Sequence, residues 1–184
     1  MKMLPCFITI GSLWIGSLVS VSAGDTTNAA SPAIGVYDSR AVAFAHFSSE
    51  PHQKQLREKI ATAKAAQKTG DSAKFKELSA ALQAEQAEMH RQVFSIAPAN
   101  EAMEVIKDRL PELQKQAGVS AIVSKWDEAA LQKYKNTTRV DVTDKLVREF
   151  IQPDEKQLKM ISSIEKSAPI PLKECDELIR KGEI

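Results

Sequence analysis

The side chains able to do chemistry are few and scattered. Three histidines, His46, His52 and His90, offer imidazoles for metal ligation or proton transfer. His46 and His52 are separated by a helix start, and no acidic third ligand stands beside them at a metal-binding spacing. There is no HExxH, no CxxC and no Cys/His cluster, so no metal centre is expected. The glycines are too dispersed for a phosphate-cradling loop, and no G-x-S-x-G elbow occurs. Asp38-Ser39-Arg40 sets a carboxylate, a hydroxyl and a guanidinium at the end of an apolar stretch. A polar-ligand site could be built from them, but a strand-end ion pair or a cap for the next segment explains them more simply. With no cofactor motif and no catalytic constellation, the expectation is a protein that is not an enzyme.

The remaining candidate is a binding surface. Between positions 51 and 76 the chain carries Lys54, Arg57, Lys59, Lys64, Lys68, Lys74 and Lys76 against only Glu58 and Asp71. Basic residues interleaved with apolar ones suit a client-facing or lipid-facing tip, and equally suit a solvated helix face. The candidate partner-facing residues are Leu56, Ile60, Lys64, Lys68, Lys74, Phe75 and Lys76.

The chain has 184 residues. Its start has the form of an export signal: Lys2, then a mostly apolar run from 7 to 19, then Val21-Ser22-Ala23 as a small-residue cleavage site. Residues 1–23 are therefore expected to be removed, placing the mature protein in the periplasm. The polar 24–32 stretch reads as a disordered leader. Without Lys2, basic residues fall from 25 to 24, matching 24 acidic ones, and this balance argues against nucleic acid as a partner. Cys6 leaves with the signal, so Cys175 has no internal disulfide partner; a half-buried helical thiol or an intermolecular bridge remain open. Aromatic residues make up only 5%, which favours long, lightly packed helices.

These groups must be held by recognisable elements. "AIGVYDSRAVA" (33–43) reads as one short buried strand, which needs a partner for its backbone groups. A helix is expected from 51 to 68, with Leu56, Ile60 and Ala63 as its seam. Gly70 and Asp71 mark a tight reversal. The next helix carries Phe75, Leu78, Leu82, Met89 and Val93, a narrow coiled-coil stripe. Two such helices of about twenty residues make an antiparallel hairpin near 30 Å long. A third helix is expected over 101–117, bent at Pro111 and ended by Gly118. "VSAIVSKW" (119–126) is the β-branched partner for the first strand. A further strand is expected around 130–134, then a polar turn. Asp141 and Asp144 suggest a capping box for a short helix. Residues 151–184 form a helical C-terminal extension.

The order of these segments, with "AIGVYDSRAVA" and "VSAIVSKWDEAALQKYKNTTRVDVTDKLVREF", resembles the Skp/OmpH-like family of periplasmic chaperones. The likeness runs over residues 33–150 and rests on the apolar strand at 121–123, the 130–134 segment, the polar turn at 136–138 and Asp141-Val142-Thr143. It implies an α+β, mostly helical fold: a small sheet body, a long antiparallel helical-hairpin arm over about 48–117, and homotrimers whose arms enclose unfolded outer-membrane or other exported proteins without ATP. The chain departs from the family in its neutral charge, shorter arm and extra tail. Those departures favour an alternative, a structural or adaptor protein for one specific partner. Contact with a membrane surface, without insertion, is compatible with either.

Overall fold

The structure is a computed structural model and describes residues 33–184. The expected export signal, the expected leader and Cys6 lie outside the described residues.

β1 (Ala33–Tyr37) buries Ile34 completely and ends at Asp38. The Asp38 carboxylate accepts the Arg40 amide and so caps α1 (Ser39–Ser48). This corrects the single strand expected over 33–43. Ala41, Val42, Ala43, Ala45 and Phe47 are all buried, so α1 has no polar stripe. A short apolar run buried on every side carries no period that tells helix from strand. Ser49 is extended (φ −66°, ψ 146°) and makes a corner from which α2 (Glu50–Lys68) departs, with Pro51 in its first turn. Gly70, at φ 76°, and the Asp71 cap then reverse the chain into α3 (Ser72–Phe94).

The single helix expected over 101–117 is divided into α4 (Asn100–Val105), a 3-10 turn (Lys107–Arg109) and α5 (Leu110–Ala117). Pro111 stands in the first turn of α5, where a missing N–H costs nothing. Left-handed Gly118 (φ 66°) ends α5 and releases β2 (Val119–Ser124). The strand expected around 130–134 is instead α6 (Glu128–Lys133), because Asp127 caps it by accepting the Ala130 amide. β3 (Arg139–Asp141) follows, then α7 (Thr143–Val147). No capping box forms there: Asp141 accepts the Thr143 amide, and the cap position is Val142. The capping box of this region lies further on, between Asp154 and Gln157, and opens α8 (Glu155–Lys166). α9 (Leu172–Lys181) closes the chain.

β1 is the centre of a three-stranded sheet of order β2-β1-β3. β2 pairs along one side, with Gly35 opposite Ile122 and Tyr37 opposite Ser124, and β3 along the other, with Gly35 opposite Val140. Both pairings are parallel. Parallel neighbours require crossovers; the helices from α1 to α5 form one and α6 the other. Successive β1 side chains point to opposite faces. Ile34 and Val36 meet Val123, Leu131 and Tyr134 under α6, whereas Tyr37 belongs to the main core around α1 with Val42, Val93, Ile106 and Leu146.

The expected fold class is therefore corrected. Among the described residues the sheet is parallel throughout, and the α2–α3 pair is not a free-standing coiled-coil arm. α3 packs on α1 and α9 as well as on α2, so its C-terminal part is a wall of the body. The physical reason is the tail. α8 packs on α1, and α9 lies against α3, where Cys175 is fully buried and Arg91 meets Asp176 at 2.5 Å. The thiol of Cys175 faces the His90 carbonyl, and burial raises its pKa.

Gly35 packs directly against Val142, the residue that precedes α7. An added Cβ would meet Val142 Cγ2 at 3.0 Å and Ile122 Cγ1 at 3.3 Å. Val142 is buried and β-branched, so it cannot swing aside. Gly35→Ala should destabilise the protein by about 1–3 kcal/mol, read as a lower urea midpoint with an unchanged slope. An unchanged midpoint would show that α7 yields.

Candidate functional site

Asp38-Ser39-Arg40 sits at the carboxyl end of the sheet, where parallel α/β proteins often bind ligands. Here the position is already filled by the protein. Asp38 and Arg40 are each 1% exposed. Arg40 grips both carboxylate oxygens, Nε to Oδ1 at 3.1 Å and Nη2 to Oδ2 at 2.9 Å. Lys125 Nζ lies 2.7 Å from Oδ2, and Trp126 Nε1 donates to Oδ1 at 3.1 Å. The Asp38 amide donates to Thr143 Oγ1, and Arg40 Nη1 donates to the Ser167 carbonyl. Arg40 and Lys125 also lie against the Trp126 ring, at 4.9 and 4.7 Å from its centre. Burial pushes the Asp38 carboxyl up, but the hydrogen bonds from Arg40, Lys125 and Trp126 outweigh it and hold its pKa below the ordinary value. The trio works as a clamp, with the carboxylate fully engaged.

The open site lies elsewhere. Where α2 and α3 leave the α1 corner they diverge enough to leave a cleft of about 350 Å³. Its walls are Phe47 from α1, Leu56 and Ile60 from α2, and Leu82 and Met89 from α3. The apolar seams of both helices face into it because Leu56 and Ile60 are one turn apart and Leu82 and Met89 two turns apart. The rim is polar. Glu85 holds Lys59 at 2.6 Å and His52 at 3.5 Å, tying the helices together across the mouth. The cleft is half open to solvent, lined mainly by carbon, and able to accept apolar side chains. Among the described residues no group of three or more His, Cys, Asp or Glu is placed to hold a metal ion.

Of the partner-facing candidates read from the sequence, the structure brings only Leu56 and Ile60 into this cleft. Lys64, Lys68, Lys74 and Lys76 are exposed around the turn at the far end of the two helices, with Phe75 half-buried beside them. Phe47, His52, Glu85, Gln86 and Met89 were not among the candidates. Met89 and Glu85 lie on the α3 stripe already visible in the sequence. Phe47 falls between the strand expected over 33–43 and the helix expected from 51, where the sequence announces no element.

Asp38→Asn keeps the shape but leaves the Arg40 and Lys125 charges without their counter-ion. It should cost about 3–5 kcal/mol at pH 7. Because the folded pKa lies below the unfolded value of 3.8, the stabilisation is present above that pH and disappears as pH falls through the depressed folded value. Urea unfolding at several pH values should show this acid-sensitive component in the wild type and not in the variant; parallel curves would refute it.

Compared with known proteins, the chain matches no family model, no curated protein and no solved structure.

Proposed function

We propose that the protein is a non-enzymatic, exported binding protein that holds an apolar segment of one polypeptide partner in the α2–α3 cleft. The cleft itself carries this reading. It is apolar, pre-formed and flanked by two helices, the arrangement into which an amphipathic segment lays its i, i+3, i+4 anchors. Its mouth carries both charge signs, with Lys59 on α2 paired to Glu85 on α3, which suits a polar backbone and mixed-charge flanks better than a uniformly charged ligand.

A holdase for many unfolded outer-membrane proteins needs broad, adaptable apolar surface. A small walled cleft braced by Glu85 is better suited to one partner, which favours the adaptor reading over the holdase. Export and a periplasmic location rest on the signal-like residues 1–23.

A photo-crosslinking side chain at Leu82 in the cell envelope tests this, with Lys159 on the outer face of α8 as the control position. One stoichiometric adduct from position 82 alone is expected, and Leu56→Asp should weaken capture about tenfold or more. A ladder of adducts, together with suppressed aggregation of a diluted urea-unfolded β-barrel protein, would make it a holdase instead. No adduct and no suppression would overturn both.

A further inference from the structure

His46 and His52 face each other across the corner between α1 and α2, their ring centres 5.2 Å apart. Ser49, the extended residue between the helices, lies between them in sequence and sets the direction in which α2 leaves. His46 is 5% exposed, and neither of its ring nitrogens has a hydrogen-bond partner. Phe47 and Phe150 pack around it at 5.2 and 5.5 Å. It lines a cavity of about 330 Å³ shared with Ser49, His52, Glu101 and Arg109. His52 lines both this cavity and the cleft.

We propose that His46 and His52 form a proton-operated latch at the α1–α2 corner, whose charging loosens α2 and opens the cleft to its partner. The proposal rests on the cleft being the binding site.

The charges around His46 cannot absorb a proton placed on it. From α4, Glu101 approaches its Nε2 at 3.8 Å but is 61% exposed, so water screens it. From α3, Glu85 already serves Lys59 and His52, and Glu88 serves Arg91. Glu149, following α7, is paired with Arg109 at 2.6 Å. An imidazolium at His46 would therefore sit among aromatic rings, beside a second imidazole, with no committed counter-ion. Burial lowers the His46 pKa below the ordinary 6.5; Glu101 opposes that and the His52 charge adds to it. The folded state thus favours neutral His46. That stabilisation is present above pH 6.5 and is lost as pH falls through the depressed folded value. Movement at the extended Ser49 corner relieves the conflict, because His52 is carried on α2 and so moves with the cleft wall.

Methyl NMR tests this on the whole mature chain without any partner, so its outcome does not depend on whether capture is found. Signals from Leu56, Ile60, Leu82 and Met89 are followed from pH 7.5 to 5.0 alongside the His46 ring proton. The expected result is a shift of the cleft methyls with the same midpoint as His46, below 6.5. His46→Phe keeps the aromatic packing and should abolish that shift. Should this variant not fold, His52→Gln removes the second imidazole and should move the His46 midpoint upward while shrinking the methyl response. Cleft methyls that stay still while His46 titrates, or that move equally in the variants, would overturn the latch. Methyl coupling without any crosslinked partner would keep the pH-driven movement of the cleft wall and overturn its role in admitting a partner.

Discussion

The structure depends on one buried carboxylate. Asp38 caps α1, takes up the Arg40 guanidinium, and fixes Lys125 and Trp126 at the end of β2. Its own amide reaches Thr143 at the start of α7, and Arg40 passes on to the Ser167 carbonyl at the end of α8. The adjoining β1 and α1 are thus gathered with the distant β2, α7 and α8 at one edge of the sheet. A carboxylate with so little exposure tolerates this position because donors meet both of its oxygens. The clamp supplies direction and register where a small parallel sheet alone would supply little.

The division of labour follows from this. Small side chains on α1 let α3, α7 and α8 approach closely, and the core around Val42, Ile106 and Leu146 fills from several elements at once. Only beyond the α1 corner, where α2 has α3 alone as its main neighbour, do the long helices lack a third layer to close them. The cleft is where the packing runs out. Its mouth is bridged by charge pairs instead of covered by carbon, so it opens at less cost than the core.

The sequence disclosed the parts of this design that are local. Gly70 with Asp71, Gly118, and the stripe through Leu82 and Met89 signal their own conformations, because capping and left-handed backbone are decided within a few residues. The pairing of the first strand with the β-branched segment at 119 was also legible, since both need to bury backbone edges. What was hidden is what long-range contacts decide. α1 reads as strand because burial on all sides erases its period. α6 reads as strand until Asp127 is seen to cap it. β3 is too short and polar to be noticed without the central strand beside it. The free arm expected by resemblance fails because nothing in α3 announces that α1 and α9 will lie against it. In the candidate site, Leu56 and Ile60 were visible from their seam, while Phe47 and the histidine pair depended on the unrecognised corner at Ser49.

The central position of β1 carries a consequence for how the chain acquires its shape. Asp38 finds Thr143 only 105 residues later, and Arg40 finds Ser167 after 127. The innermost strand is made early and cannot be enclosed until both edge strands and α8 exist. Closing loops of that length before their contacts form makes such topologies slow to fold. The α2–α3 turn is the main unit whose contacts are near in sequence, so it can form while the rest waits. A chain of this kind closes its central strand only when its C-terminal helices have joined it.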